Sequence, residues 1–324
     1  MGSFGGKFYA CLLVIVTALA SLNVSQAQSY PNRPLRLVVG TVAGGGIDTI
    51  SRTVATPLSE ALGQPIVIEN RPGAGMVVAT KLVATASADG YTLLMGTIAT
   101  HGINPVLKRD LGYDPIRDFA PITLVANAAN VLVVPVSLPA RTVGEFVAYA
   151  KANPGKLLFG SPGVGSSIHL SMELFKQYTK TEMAHVPYKT SLQPALLSGE
   201  IQAACANIPA SLPNIRAGRL RALAVTSKSR SSRLPNVPSF TEEGVPLEVL
   251  VWYAIFSPAG VPKPVVEKLS AKIHEVLQLP DVVRRLDLQG YDVKLSTPEE
   301  LAAWVRSETE RWREVVKVSG ILVH

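Results

Sequence analysis

The chain has 324 residues, a formal net charge of +7 and an apolar content of 47%. This length excludes a single small domain and suits one large or two modest domains, and the apolar content is ample for real cores. Aromatic residues make up only 6% and are not interleaved with the one basic cluster, Lys228 to Arg233. We therefore expect no nucleic-acid binding, and the cluster is predicted to form a solvated loop.

The N-terminus has the pattern of a secretory signal. Lys7 precedes a short apolar run from Phe8 to Ala20, and small residues occupy the cleavage positions of Ser25-Gln26-Ala27. The run is shorter than the roughly 20 residues that cross a membrane. The sequence predicts a signal peptide of residues 1–27, cleaved after Ala27, and a periplasmic mature chain. Cys205 is the only cysteine after Ala27, so an internal disulfide is excluded.

Short β-branched runs then alternate with helical stretches. The first series predicts strands at Leu35–Val39, Pro65–Glu69 and Tyr91–Met95, and helices at Ile47–Leu62 and Val77–Ala86. Two more strands follow at Ile122–Val125 and Val131–Pro135. Repeated strand–helix–strand units predict an α/β fold whose sheets are mostly parallel, with helices on both faces.

A second series follows and leads to a helical C-terminal part. The predicted elements are helix Val143–Ala152, strand Lys156–Gly160, helix Ile168–Gln177, strand Met183–Val186, a short helix near Ala195, strands Ile201–Ala206, Leu220–Val225 and Val251–Phe256, and helices Lys263–Leu277, Asp281–Gln289 and Pro298–Val318. Two such series with a return strand predict two lobes around a cleft. Residues 28–126 plus 250–324 are expected to form the first lobe, and residues 127–249 the second.

The loops that follow the strands are rich in glycine and hydroxyl groups. In open α/β sheets ligands bind beyond the carboxyl ends of the strands, and helix N-termini in such loops favour anions. We therefore predict a carboxylate site. Its residues are Ala43, Gly44, Gly45, Gly46, Asp48 and Thr97 from the first lobe, and Ser161, Gly165, Ser166, Ser167 and Asn207 from the second. These stretches contain no lysine or arginine, so dipoles and water are expected to meet the charge of the ligand.

Asp48 has two interpretations, because it falls in the first turn of its helix. It either complements the helix dipole and holds the glycine loop, or accepts hydrogen bonds from a ligand amine.

The loops contain neither G-x-G-x-x-G nor Gly-Lys-Ser/Thr, so no nucleotide site is predicted. The five histidines have no metal-ligand spacing. We expect neither a metal nor a cofactor.

A serine hydrolase is a remote alternative. Ser166 and His169 share one helix face, and Glu173 lies one turn further on. A nucleophilic serine also needs an oriented base and usually an oxyanion hole, and G-x-S-x-G is absent. The sequence therefore predicts no catalytic residues and no enzymatic activity.

Ordered motifs along nearly the whole mature chain point to a family. They include Tyr30-Pro31-Asn32-Arg33-Pro34, Gly44-Gly45-Gly46-Ile47-Asp48, Glu69-Asn70-Arg71-Pro72-Gly73-Ala74-Gly75, Asp89-Gly90-Tyr91-Thr92-Leu93-Leu94, His101-Gly102-Ile103-Asn104-Pro105, Tyr113-Asp114-Pro115, Gly165-Ser166, and His185-Val186-Pro187-Tyr188-Lys189. In this order and spacing the chain resembles the Bug family, the periplasmic receptors of tripartite tricarboxylate transporters.

The resemblance implies a type II periplasmic-binding-protein fold that closes like a Venus flytrap. It also implies a small carboxylate ligand (a dicarboxylate, an amino acid or an aromatic acid) and membrane permease subunits as partners. We expect the protein itself to be a monomer. The alternative partner is a membrane sensor kinase of a two-component system. Departures from the family pattern at Thr41, Val42, Met76, Val78 and Thr190 leave the identity of the acid open.

Overall fold

The computed structural model describes residues 30–188 and 191–319. The predicted signal peptide with its cleavage after Ala27, and the departure at Thr190, lie outside the described residues. Among the residues that are described, no helix combines the length and the hydropathy needed to cross a membrane.

The fold begins with three strands that alternate with helices. In chain order the elements are β1 (Leu35–Val39), α1 (Gly46–Leu62), β2 (Ile66–Asn70), α2 (Val77–Ala84), β3 (Thr92–Thr97) and, after a π-helical turn, α3 (Asn104–Leu107). β1 lies between β2 and β3 and pairs with both in parallel. These bounds agree closely with the predicted ones, except that α3 is too short to leave a periodic signal in the sequence.

A long strand, a second α/β series and a helical part follow. They are β4 (Phe119–Pro135), α4 (Val143–Ala152), β5 (Leu157–Ser161), α5 (Ser167–Thr179), β6 (Met183–Pro187), α6 (Gln193–Ser198), β7 (Ala204–Asn207), α7 (Ile208–Arg216), β8 (Leu220–Val225), β9 (Leu250–Pro258), α8 (Lys263–Leu277), α9 (Pro280–Leu288), β10 (Asp292–Val293) and α10 (Pro298–Ser319). The sequence did not predict α7, which contains Pro209 and Pro213. Proline at a first turn is compatible with a helix, and Pro209 stands there.

β4 is one continuous strand where the sequence predicts two. Up to Ala129 it pairs with β9, and from Asn130 onward it pairs with β7 and β8. The residues between the two predicted strands are small or polar, which hides the strand signal. Backbone partners on neighbouring strands hold them extended, because tertiary pairing overrides intrinsic propensity.

The sheets are mixed, which corrects the prediction of mostly parallel sheets. β1 pairs in parallel with β2 and β3, and β5 pairs in parallel with β6. β9 is antiparallel to β3 and β4, and β4 is antiparallel to β7, β8 and β10. Helical crossovers impose parallel direction only on the strands that they connect. β4 and β9 pass between the two series and are free of that constraint.

The chain passes between the two strand series at adjacent places. Thr226 donates its backbone N–H to the carbonyl of Asn130 at 2.9 Å, and its hydroxyl donates to the carbonyl of Val249 at 2.7 Å. The Asn130 N–H donates to the same hydroxyl at 2.9 Å. These buried bonds tie the passage in β4 to the one before β9. The two predicted lobes would meet here: residues 28–126 plus 250–324 form one, and residues 127–249 form the other. This division into lobes stays a prediction.

Buried aromatic side chains fix the C-terminal helix over this junction. The indole N–H groups of Trp252 in β9 and Trp312 in α10 both donate to the Glu308 carboxylate, at 3.0 and 3.3 Å. Both indoles are fully buried. A buried carboxylate is stable only when its oxygens are satisfied, as they are here. This contact holds α10 against the start of β9.

The basic cluster is solvated except at its last residue. Lys228 and Arg230 are exposed, as predicted, whereas the Arg233 side chain is only 12% exposed. Its guanidinium donates to the Asp287 carbonyl at 2.7 Å and forms ion pairs with Asp287 and Asp292. Arg233 therefore connects the second strand series to the turn between α9 and β10.

Candidate functional site

Loops from both strand series enclose a cavity of about 560 Å³, a size typical of small-molecule sites. Its lining residues come from the loops that follow the strands, from α3 and the residue after it, from β9, and from the turn before β10. They are Thr41, Gly46, Ile47, Gly75, Met76, Thr97, Ile98, Ala99, Asn104, Lys108, Pro162, Gly163, Val164, Gly165, Ser166, Ser167, Ile168, Asn207, Val251, Tyr253 and Tyr291.

The predicted site residues divide into two groups. Those that line the cavity are Gly46, Thr97, Gly165, Ser166, Ser167 and Asn207. Those that do not line it are Ala43, Gly44, Gly45, Asp48 and Ser161. Ala43 and Gly44 are exposed, because the first half of their loop turns outward through Gly44 at φ +79°. Asp48 and Ser161 are buried and bond to their own loops. Whether the first group contacts a ligand stays a prediction.

Asp48 holds the first glycine loop in shape. Its carboxylate accepts the Gly44 N–H at 2.8 Å, the Arg52 guanidinium at 2.8 Å and the Asn70 side-chain amide at 2.9 Å. The hydrogen bond from Arg52 is the largest cause of a pKa lowered to about 2 for Asp48. The side chain is 2% exposed. These contacts correspond to the loop-holding interpretation of Asp48.

Ser161 and Ser166 organise the second glycine loop in the same way. The Ser161 hydroxyl accepts the Gly163 N–H at 3.0 Å and lies 2.6 Å from Nε2 of His185. The Ser166 hydroxyl caps α5: it accepts the His169 N–H at 3.2 Å and donates to the Gly163 carbonyl at 2.8 Å. Ser166 thus lines the cavity, but its one hydroxyl proton is directed at the loop.

Backbone amides at two helix N-termini are left free. Gly46 and Ile47 open α1, and Ser167 and Ile168 open α5. All four residues line the cavity, and their N–H groups have no acceptor among the described residues. Unpaired N–H groups and the positive ends of helix dipoles form a ready anion site. The geometry therefore suits a carboxylate.

The sequence interpretation missed the residues that approach the cavity from the side. Asn104 and Lys108 come from α3 and the residue after it, whereas Tyr253 and Tyr291 form an edge-to-face pair with ring centroids 5.2 Å apart. The expectation that no lysine or arginine meets the ligand considered only the glycine-rich stretches. Lys108 lies outside them, and no signal in the sequence marked its proximity. The departures Thr41 and Met76 also line the cavity.

The Ser166–His169 pair does not have hydrolase geometry. The Ser166 hydroxyl contacts the backbone N–H of His169, and the imidazole Nδ1 instead accepts the Gly165 N–H at 3.3 Å. His169 Nε2 lies 3.8 Å from Glu173, which is paired with Lys176. A nucleophile needs a hydrogen bond to the base itself. Both side chains therefore support the loop.

We expect affinity and stability to fall on acidification because of His169. Burial, followed by the nearby His185 and Lys176, lowers the folded pKa of His169 from 6.5 to about 4. The unfolded chain therefore binds more protons between pH 6.5 and 4, and the free energy of unfolding decreases as the pH falls through this window. Protonated Nδ1 would become a donor facing the Gly165 N–H, so the loop should rearrange and release ligand.

The measurement is ligand affinity by calorimetry, with chemical denaturation, at pH 7 and pH 5. His169→Gln is the matched control, because its amide oxygen can accept the Gly165 N–H without titrating. His101 and His185 also have lowered pKa values, owing first to burial, so only the difference between the two proteins is informative. Identical pH profiles in both would disprove a role for His169.

Within residues 30–188 and 191–319 no group of three or more His, Cys, Asp or Glu side chains could hold a metal ion. The single cysteine there, Cys205, is fully buried. The polar groups that the described residues bring to the cavity are amides, hydroxyls, two tyrosines and one lysine.

Known proteins resemble this chain over almost its full length. A family profile described as "Tripartite tricarboxylate transporter family receptor" matches residues 50–321. The protein BugT of Bordetella pertussis is 36% identical over 313 residues, which cover 95% of each chain. A UPF0065 protein encoded between tcbD and tcbE in Pseudomonas sp. strain P51 is 37% identical over 321 residues, covering 98% of this chain and 95% of the relative.

Solved structures show the same architecture, and two of them contain a bound acid. Rpa4515 of R. palustris with adipate is 37% identical, with a TM-score of 0.82, over 91% of this chain and 99% of that chain. MatC of Rhodopseudomonas palustris with bound malate is 33% identical, with a TM-score of 0.78, over 89% of this chain and 100% of that chain. The periplasmic binding protein BugD is 32% identical, with a TM-score of 0.78, over 90% of this chain and 99% of that chain.

Proposed function

Because this chain belongs to the tripartite tricarboxylate transporter receptor family, we propose that it captures a small carboxylate for the permease subunits of such a transporter. The family consists of periplasmic solute-binding receptors and not of enzymes, and the chain has their two-lobe α/β fold. The finer elements of the proposal are the ligand class, the membrane partner, a monomeric state and a signal peptide cleaved after Ala27.

The observation that carries the ligand class is the set of four free amides. Gly46 and Ile47 belong to one lobe of the proposed division, and Ser167 and Ile168 to the other. An anion between them would receive donors from both sides, and the helix dipoles would favour its charge. None of the described residues that line the cavity has a carboxylate side chain to oppose it. The adipate and malate bound to the two Rhodopseudomonas proteins support this class.

Binding between two lobes also suggests how a partner would recognise the loaded receptor. A ligand that contacts both helix N-termini stabilises the closed arrangement, because it interacts more strongly with that arrangement than with an open one. The adjacent passages at Asn130 and Thr226 are the natural place for the hinge. A permease then binds the surface that the closed receptor presents, and uptake of the acid follows.

The test is a thermal-shift screen of adipate, malate and related acids, followed by calorimetry. A ligand at 100 times its dissociation constant should raise the free energy of unfolding by about 2.7 kcal/mol. The diamide of adipic acid serves as the uncharged control and should produce no shift. Stabilisation by neutral solutes, with none by any acid, would overturn the proposal.

A further inference from the structure

Lys108 differs from the other residues that line the cavity. Among the described residues that line the cavity it is the only charged one. It follows α3, and its backbone N–H donates to the Asn104 carbonyl at 3.0 Å. The backbone of Lys108 itself is extended, with φ −115° and ψ 123°, so the helix ends here. The residue is half-buried. Its ammonium has no ion pair or hydrogen bond with any described residue.

The free amides of α1 and Lys108 belong to different parts of the lining, whereas the free amides of α5 follow the second glycine loop, close to the end of α3. The amide of Gly46 is near Tyr291, since a Cβ on Gly46 would lie 2.8 Å from the Tyr291 hydroxyl. Lys108 is next to Leu107, whose Cδ1 lies 2.5 Å from the position of a Cβ on Gly165. The end of α3 therefore abuts the second glycine loop, and Lys108 stands where the two proposed lobes meet.

The carboxylates nearest to Lys108 in the surrounding groove bond to their own loop. Lys108 also borders an open groove that contains Arg109, Arg117 and Arg313 together with Asp114 and Asp118. Asp118 accepts from the Arg117 guanidinium and from the Asp114 N–H. Asp114 accepts the backbone N–H groups of Ile116 and Arg117. Arg117 is paired with Asp118 and Arg313 with Glu310, so Lys108 and Arg109 are the cations of this groove that remain to attract a second anion.

We propose that Lys108 is a specificity-determining residue that selects ligands with two anionic groups. One carboxylate meets the free amides of α1 and α5, and the second faces the Lys108 ammonium. The inference rests on the proposed function, which it narrows from carboxylates to dianions. The physical basis is that a half-buried, unpaired ammonium gains an ion pair in addition to a hydrogen bond only from a ligand with a second acid.

The experiment compares adipate with its monoamide, which has the same length and one charge fewer. Calorimetry is carried out on the wild type, Lys108→Met, Lys108→Arg and the control Lys263→Met, which alters a lysine that is 78% exposed. The wild type, Lys108→Arg and the control should prefer adipate by about tenfold or more, as expected for a hydrogen bond between charged groups. Lys108→Met should lose this preference and bind the monoamide as the wild type does.

The outcomes separate the two proposals. If the wild type binds both ligands equally, or if Lys108→Met keeps the preference, the role of Lys108 is disproved while carboxylate capture stands. Equal weakening of both ligands in Lys108→Met would also overturn selectivity, because it would indicate a merely structural role. If neither adipate, its monoamide nor the acids of the thermal-shift screen bind to the wild type, the proposed function itself has failed.

Discussion

Gly46→Val should reduce carboxylate affinity by about 100-fold or more without unfolding the protein. Gly46 opens α1 and lines the cavity, and a Cβ there would lie 2.8 Å from the Tyr291 hydroxyl. Tyr291 packs edge-to-face against the buried Tyr253, so its ring has little freedom to retreat. The added methyl groups therefore occupy the space of the ligand, while the free N–H is retained.

Calorimetry measures the affinity, and circular dichroism on heating checks the fold. Gly144→Val is the matched control, since the position is exposed on α4 and a Cβ there meets only the Thr142 hydroxyl, at 3.9 Å. A smaller change gives a finer test: Tyr291→Phe should partly rescue Gly46→Ala, because the contact is with the hydroxyl alone. Wild-type affinity in Gly46→Val would place the ligand elsewhere.

Gly165→Ala should lower both the stability and the affinity, for two separable reasons. Gly165 has φ +80°, a conformation that costs a residue with a side chain about 1–2 kcal/mol. Its Cβ would also lie 2.5 Å from Cδ1 of Leu107, so the buried Leu107 side chain, α3 or the loop must shift. We expect the free energy of unfolding to fall by about 2–3 kcal/mol, since an overpacked contact adds to the backbone cost.

Chemical denaturation can separate the two costs. Gly155→Ala is matched in backbone geometry, with φ +69°, but nothing lies within 4 Å of its Cβ. It should show the conformational cost alone and keep wild-type affinity. A double-mutant cycle with Leu107→Ala isolates the contact. Equal losses in Gly165→Ala and Gly155→Ala, with no coupling to Leu107, would show that the two proposed lobes do not press together here.

The sequence alone determined most of the elements and their order. β1, α4, β8 and α8 have the predicted bounds, because their hydrophobic periodicity and flanking turn residues act over a few neighbours. It also placed glycine loops at helix N-termini, and its ordered motifs identified the family. Each of these signals is local in the chain or a matter of spacing along it.

Only the tertiary structure decided which residues line the cavity. Asp48 and Ser161 were predicted there, yet each turns toward its own loop, because a buried polar group must first satisfy nearby backbone. Lys108 and Tyr291 were not predicted to line the cavity. They reach it from the end of α3 and from the turn before β10, far from the glycine loops in sequence. Similarly, β4 runs unbroken through weak strand residues because β9, β7 and β8 supply its partners. Side-chain direction and pairing between distant segments depend on packing of the whole chain, and local sequence carries little trace of them.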